Sequence, residues 1–301
     1  MKLRLGTRRS LMATTQSQLV ADRLTRLTGR EVELVGVTTF GDVTQAQLSQ
    51  LGGTGVFVSA LRDKLLDGEI DFAVHSLKDL PTAPAEGLTL AAVTQRDDPR
   101  DALVGTAKLA DLPPGARVGT GSLRRIAQLR MLRPDLEYVP IRGNADSRIG
   151  KVSSGDLDAV VLAAAGLARI RREDEISEIL DVGSVLPAPG QGALAVECRD
   201  DRGDLRELLA VLDDPDTRAS AGAERAVLAT LEAGCSAPVG AYAFVAERTL
   251  NLTAVVVSLD GARWVRKSTA GPASDSMELG RGLAAAMLAE GADTLMGEQA
   301  H

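Results

Sequence analysis

Two short stretches of this chain resemble each other. Gly68-Glu69-Ile70-Asp71-Phe72-Ala73-Val74 is echoed by Gly155-Asp156-Leu157-Asp158-Ala159-Val160-Val161, each an acidic turn running into an apolar strand. Gly6-Thr7 and Gly119-Thr120 are paired in the same way, for each ends a strand just before a Ser-capped, Arg-bearing helix. The spacing between the paired motifs differs in the two halves, so this is no tandem repeat of fixed period. It constrains the chain to two similarly built units, with strand ends and helix N-termini expected to face one cleft. Helix N-termini carry free N–H groups and a positive dipole end, which suit anions.

Around these motifs strands and helices alternate. Strands are expected at Leu3–Gly6, Glu31–Thr38, Asp71–His75 and Leu88–Thr94, with a helix from Ser10 to about Leu27 that Gly29 ends and another at Phe57–Leu66. Gly41–Gly55 between them is rich in Gly, Gln, Ser and Thr; loops of that length are lids, binding loops or disordered. Gln95–Arg100 is charged, holds Pro99, and reads as a crossing into a second unit. That unit repeats the pattern with strands at Ala116–Gly119, Leu136–Ile141 and Asp158–Leu162 and helices from Ser122 and over Asp146–Ser153. The order favours parallel sheets with crossover helices, an α/β class. Leu186–Gly192 is a connector, after which Ala193–Cys198 reads as a strand returning to the first unit. A helix over Asp216–Leu231, strand-like runs at Val239–Ala246, Leu250–Leu259 and Arg263–Thr269, and a helix over Met277–Glu290 suggest a small α+β part with an antiparallel sheet.

Composition narrows the function. The chain has 301 residues, enough for more than one core. Its formal net charge is −7 and aromatics are few, which argues against a nucleic-acid partner. Met1–Ser10 is charged without an apolar stretch, and the longest nearly apolar run, Ala159–Ala168, is too short for a bilayer, so we expect a cytoplasmic protein with no membrane partner. Two cysteines form no disulfide framework, and the two histidines, one of them the terminal His301, leave no zinc-ligand spacing; no metal is expected.

Against this background the arginines stand out. Arg8-Arg9, Arg124-Arg125, Arg142 and Arg148 sit in short Gly/Ser-containing segments, and repeated basic residues at turns of an acidic chain suggest an anionic ligand; solvated surface charge is the alternative. Gly52-Gly53-Thr54-Gly55 and Gly119-Thr120-Gly121-Ser122 match neither the P-loop nor the dinucleotide fingerprint. His75-Ser76-Leu77-Lys78-Asp79 ends an apolar strand, where Ser, Lys and Asp side chains reach the cleft of an open sheet; a polar capping turn is the alternative. No triad can be built on His75, which reads as a packed strand residue. Cys198 reads as a small core hydrophobe, whereas Cys235, in the loop Gly234-Cys235-Ser236-Ala237-Pro238, is open to both a covalent and a structural reading.

Taken together, the chain resembles the porphobilinogen deaminase (hydroxymethylbilane synthase) family. The resemblance rests on Gly6-Thr7-Arg8-Arg9-Ser10, Val74 to Pro81, Gly119 to Arg125, Arg142-Gly143-Asn144 with Arg148, Leu162 to Arg169, Leu186 to Gly192, and Leu231-Glu232-Ala233-Gly234-Cys235, in family order up to about Tyr242. It implies two lobes like those of type II periplasmic-binding proteins (1–96 with 190–213, and 97–189) and a small C-terminal α+β domain (214–301). It further implies a dipyrromethane cofactor, thioether-linked to Cys235, on which four porphobilinogens condense with loss of ammonia to give hydroxymethylbilane. Ser76, Lys78, Asp79, Ser122, Arg124 and Arg125 would then contact the cofactor. Arg8, Ser10, Arg142, Arg148 and Arg169 would hold substrate or the growing chain, and Asp79 would be the catalytic carboxylate, stabilising the cation left when ammonia departs. The acetates and propionates of the pyrroles account for the arginines, whose planar donor forks suit carboxylates. A monomer is expected. Gln50 and Thr54 stand where the family often has lysine, Phe40 where it has arginine, and Gly121 where it has serine. A two-lobed binder of a small anion would look the same in its lobes, and Cys235 in a third domain separates the enzyme from it; a cysteine-nucleophile acyltransferase is the other enzyme reading, but no base partner for Cys235 can be named.

Overall fold

The structure, a computed structural model, describes residues 2–37, 55–234 and 237–297. In chain order the described elements begin with β1 (Leu3–Arg8), α1 (Leu11–Thr28), β2 (Val32–Val37), α2 (Gly55–Leu66), β3 (Phe72–Ser76), β4 (Leu88–Val93) and β5 (Asp101–Gly105). Next come β6 (Arg117–Gly119), α3 (Leu123–Leu132), β7 (Glu137–Val139), α4 (Ala145–Ser153), β8 (Ala159–Ala163), α5 (Ala164–Arg169) and β9 (Glu178–Ile179). Then follow β10 (Leu194–Arg199), α6 (Gly203–Leu209), α7 (Pro215–Thr230), β11 (Val239–Ala246), β12 (Thr249–Val257), β13 (Trp264–Pro272), α8 (Ser276–Leu288) and α9 (Ala292–Gly297). No helix among the described residues is long and apolar enough to cross a membrane.

The chain divides into two compact units, 1–97 with 193–218 and 98–192 with 219–301. The first holds a five-stranded sheet of order β2-β1-β3-β10-β4, and the second a five-stranded sheet of order β7-β6-β8-β5-β9 plus the three-stranded sheet β11-β12-β13. The two five-stranded orders are the same. Numbered within its own unit, with n for the strand entered after a crossing from the other, each reads 2-1-3-n-4. The echoed motifs occupy equivalent places: both acidic turns feed the third strand, and both Gly-Thr pairs close the first.

The sheets are not wholly parallel, as the alternation had suggested. β10 runs antiparallel to β3 and β4, and β5 antiparallel to β8 and β9. Parallel neighbours need a crossover, usually a helix. Each crossing strand follows a short connector instead, and the antiparallel pairing requires no crossover.

Helices cover both faces of each large sheet. In the first unit Leu5, Phe72, Val74 and Val196 pack on Val20 and Leu24 of α1 and Leu205 and Leu209 of α6, while Ala73 faces Leu61 and Leu65 of α2. In the second, Leu103, Val118 and Val161 pack on Ile126 and Leu129 of α3, and Val104, Val160 and Leu162 on Ile149 of α4 and Leu167 of α5. The small sheet lays Ala241, Leu252 and Val256 against Val227 of α7 and Leu283 and Met287 of α8, and its Val255 and Val257 against Ala127 and Leu186. The α1 boundaries follow from local chemistry. Ser10 accepts from the Ala13 N–H at the N-terminus, and Gly29, at φ +70°, lets its own N–H close back on the Thr25 carbonyl.

Candidate active site

In the first unit β1 and β3 are parallel neighbours, with Leu5 opposite Phe72 and Gly6 opposite Ala73. Their carboxyl ends therefore share one sheet edge, the edge beyond which open α/β sheets bind ligands. Arg8 ends β1 and Ser10 follows it there; Ser76 ends β3, and Lys78 and Asp79 follow it. Ser10 Oγ is 3.4 Å from the Ala13 N–H it accepts, so its lone pair is used as a cap while its O–H stays available to donate. Ser76 Oγ pairs with the buried Gln16 amide, at 3.1 Å from Nε2 and 3.2 Å from Oε1. Lys78 and Asp79 lie in a single 3₁₀ turn, Leu77–Asp79, closed by the Leu80 N–H on the Leu77 carbonyl at 3.2 Å. Both side chains are half-buried. Among the described residues no hydrogen bond or ion pair engages the Asp79 carboxylate.

Behind this edge His75 is buried with Nε2 3.4 Å from Glu197 Oε2 on β10. Glu197 also accepts from Arg62 Nε at 3.1 Å and Nη2 at 2.8 Å. Burial pushes the Glu197 carboxyl up, but His75 and Arg62 outweigh it and hold the group below its ordinary value. His75 is thus a packed member of a strand-to-strand network, as expected. Cys198 is fully buried on the same strand, and desolvation pushes its thiol up to about 11, the mark of an inert core cysteine.

In the second unit β6 and β8 are the equivalent parallel pair. Ser122 caps α3 by accepting from the Arg125 N–H at 3.4 Å. A Cβ on Gly121 would lie 2.6 Å from the Ile141 carbonyl oxygen, so a serine here would need the two segments to move apart. Arg124 and Arg125 turn inward and are only 4% and 6% exposed. Between them is Asp101, fully buried at the start of β5: Oδ2 accepts from Arg124 Nη1 and Oδ1 from Arg125 Nη2, each at 2.7 Å. Burial opposes the charge on Asp101, yet the two guanidinium groups hold its carboxyl well below the usual range. Arg124 Nη1 also donates to the Leu186 carbonyl at 2.7 Å and Arg125 Nη1 to the Val161 carbonyl at 2.9 Å. Arg125 Nε is buried with no hydrogen-bond partner among the described residues.

Arg148 joins this group. It is half-buried on α4, where burial and the nearby Arg125 charge both lower its pKa. The turn before it is shaped by Gly143 at φ +111°, where a Cβ would run into Ser147 Oγ, and by Asn144, whose Oδ1 caps the Ser147 N–H at 2.8 Å. Arg148 Nε donates back to the Gly143 carbonyl at 2.8 Å. Arg142 is exposed, and Arg169, at the end of α5, donates through Nη2 to the Gly192 carbonyl at 2.6 Å. The second unit thus brings Ser122, Arg125 and Arg148 together as a basic cluster, and the first unit brings Arg8, Ser10, Ser76, Lys78 and Asp79 to one edge. Phe40, Gln50, Thr54 and Cys235 lie outside the described residues.

Reading the residues had not found the carboxylates and amides that support these groups. Gln191 Nε2 donates to Asp101 Oδ1 at 2.8 Å and to the Pro99 carbonyl at 2.7 Å. Gln128 exchanges hydrogen bonds with both backbone groups of Leu186. Glu224, buried on α7, accepts from the Gly190 and Ala243 N–H groups, each at 2.7 Å. The available signals were faint: an aspartate leading an apolar strand, and a glutamine between two glycines after a Pro-Ala-Pro turn.

The family model "Porphobilinogen deaminase, dipyromethane cofactor binding domain" matches residues 3–207, and "Porphobilinogen deaminase, C-terminal domain" matches 219–289. A porphobilinogen deaminase of Thermobifida fusca is 63% identical, the alignment covering 99% of this chain and 96% of the relative. Porphobilinogen deaminase 1 of Streptomyces coelicolor is 59% identical, covering 99% and 98%. Among solved structures, the methionine-binding protein MetQ aligns over 70% of this chain and 89% of its own, with a TM-score of 0.45 and 12% identity.

Proposed function

This chain belongs to the porphobilinogen deaminase family, and we propose that the two basic strand-end segments and Asp79 carry that family's condensation of porphobilinogen into a linear tetrapyrrole. The observation that carries the proposal is Asp79: a half-buried carboxylate at the carboxyl end of β3, with no hydrogen bond or ion pair among the described residues. A charged acceptor fixed at this sheet edge, partly open to solvent and not engaged by a described residue, can take a donor from a ligand.

The residues present suit the dipyrromethane group, which is rich in carboxylates. Arg124 and Arg125 share one buried counter-ion, so the trio keeps one positive charge, and the buried Arg125 Nε has no acceptor among the described residues. When bound, the group supplies the nucleophilic pyrrole carbon at which each new unit is added. Ser76, Lys78, Ser122, Arg124 and Arg125 would hold its acetates and propionates, and Cys235 would anchor it. Arg8, Ser10, Arg142, Arg148 and Arg169 would hold the carboxylates of porphobilinogen and of the growing chain. As ammonia leaves porphobilinogen, positive charge develops toward the pyrrole nitrogen, and the fixed Asp79 carboxylate would accept that N–H and stabilise the charge in place. Ser10 and Ser122 cap their helices with lone pairs, which leaves two hydroxyl donors at helix N-termini for anionic groups.

We read residues 214–301 as the domain that carries Cys235, and the enzyme as a cytoplasmic monomer without nucleic-acid or membrane partners. The direct test supplies porphobilinogen to the purified protein and follows ammonia release together with tetrapyrrole formation. Four ammonia per tetrapyrrole is the expected result; binding of porphobilinogen without ammonia release would reduce the protein to a binder.

A further inference from the structure

A buried aspartate that the condensation does not use lies under the arginine pair. Asp101 is fully buried, and each of its oxygens takes a different arginine, Arg124 on Oδ2 and Arg125 on Oδ1. A carboxylate that only neutralised one arginine would bind it through both oxygens in the bidentate geometry that this pair of ions favours. Here the carboxylate is split between two guanidinium groups, and each is fixed again by a carbonyl, Leu186 for Arg124 and Val161 for Arg125. Gln191 Nε2 adds a third donor to Asp101 and ties it to the Pro99 carbonyl, so the carboxylate itself cannot turn.

Two consequences follow. Arg124 spends a single nitrogen, Nη1, on both Asp101 and Leu186, and no other described residue engages the rest of its donor fork. Arg125 spends Nη1 and Nη2 and keeps a buried Nε that has no partner among the described residues. The charges sum to two positive and one negative, a net of one positive charge in a buried place. An uncompensated buried charge is strongly unfavourable unless an opposite charge arrives.

We propose that Asp101, braced by Gln191, is a positioning residue that holds Arg124 and Arg125 in a fixed orientation with one unmatched positive charge, ready for one carboxylate of the pyrrole chain. This rests on the reading of the chain as a porphobilinogen deaminase. Asp101 touches neither substrate nor cofactor; it acts through the arginines. Preorganised donors of this kind strengthen binding because their orientation is set before the ligand arrives.

The test uses full-length protein purified in parallel as wild type, Asp101→Asn, Asp101→Glu and Gln191→Leu. Denaturing intact mass gives the fraction of each that carries two extra pyrrole units. Steady-state kinetics on porphobilinogen, scaled to that fraction, give KM and kcat. The Asp101→Asn protein should be loaded to a small fraction of the wild-type level, and Asp101→Glu, which keeps the charge, to a higher one. Gln191→Leu leaves both ion pairs in place and should fold. Because the arginine pair is assigned to the cofactor, Gln191→Leu should be loaded well below the wild-type level, while the part that is loaded keeps the wild-type KM and kcat for porphobilinogen, which other arginines hold. If Asp101→Asn is insoluble, Gln191→Leu alone decides. Wild-type loading in Gln191→Leu, or in a folded Asp101→Asn, would overturn the positioning role and leave Asp101 a structural counter-ion. Absence of pyrrole mass from the wild type would instead remove the family reading itself, a result distinct from loaded wild type with loaded variants.

Discussion

Replacing Asp79 by Asn keeps the side chain's size and one acceptor oxygen while removing the negative charge. The carboxylate sits half-buried in the 3₁₀ turn after β3, where nothing among the described residues neutralises it. For a unit charge developing about 4 Å away, at an effective dielectric constant of about 20 suited to a partly exposed site, the interaction is worth about 4 kcal/mol. At about 1.4 kcal/mol per factor of ten, that is a loss of about a thousandfold in the rate of condensation. Substrate binding should suffer far less, because the arginines hold the substrate's carboxylates. The assay is product formation per loaded enzyme in single-turnover and steady-state modes, with intact mass resolving chains stalled with extra pyrrole units. Asp79→Asn should fold, carry stalled intermediates and turn over about a thousandfold more slowly, and Asp79→Glu should recover part of the loss. A turnover of Asp79→Asn within a few-fold of wild type would refute the electrostatic role, since no other change of that size follows from an isosteric substitution.

Glu224→Ala leaves the Gly190 and Ala243 N–H groups buried without their acceptor, at about 1–3 kcal/mol each, so denaturant unfolding should show a loss of about 2–6 kcal/mol. A loss below about 1 kcal/mol would mean that water or relaxation replaces the carboxylate. Acid should destabilise the protein through Asp101 and Glu197, whose carboxyls are held below their ordinary values. A lowered folded pKa gives stability that is present above the unfolded value, about 4, and is lost as pH falls toward the folded value. Urea unfolding followed from neutral pH downward should therefore show stability falling below about pH 4, and a shallower fall in a folded Asp101→Asn variant; parallel curves would remove Asp101 from the account.

Much of this architecture was legible because the sequence carries local chemistry at the element ends. Ser10, Ser122 and Gly29 mark helix boundaries through caps and a left-handed turn, features that need only a few neighbouring residues. The echoed Gly68–Val74 and Gly155–Val161 segments pointed to two alike units, and each proves to feed the third strand of its sheet. The short strands β5 and β9 were invisible, since five and two residues carry no usable period and their pairing is decided by distant partners. The same holds for the site. Arginines in Gly/Ser turns announce themselves, but that Arg124 and Arg125 point inward onto Asp101 is a tertiary fact. It depends on a strand 23 residues upstream of Arg124 and a glutamine 90 residues beyond Asp101. His75 reads from sequence as a packed strand residue because it lacks triad partners, yet its real partner, Glu197, which Arg62 also engages, can be named only once β10 is placed beside β3.

The covalent dipyrromethane assignment is tested most directly by the denaturing intact mass of the purified chain. Wild type should be heavier than its sequence by two pyrrole units and should react with an aldehyde reagent for pyrroles. Cys198→Ala should keep both properties, its sulfur being buried in the core, and Cys235→Ala should lose both. An unmodified wild-type chain that still converts porphobilinogen to a tetrapyrrole would contradict the assignment.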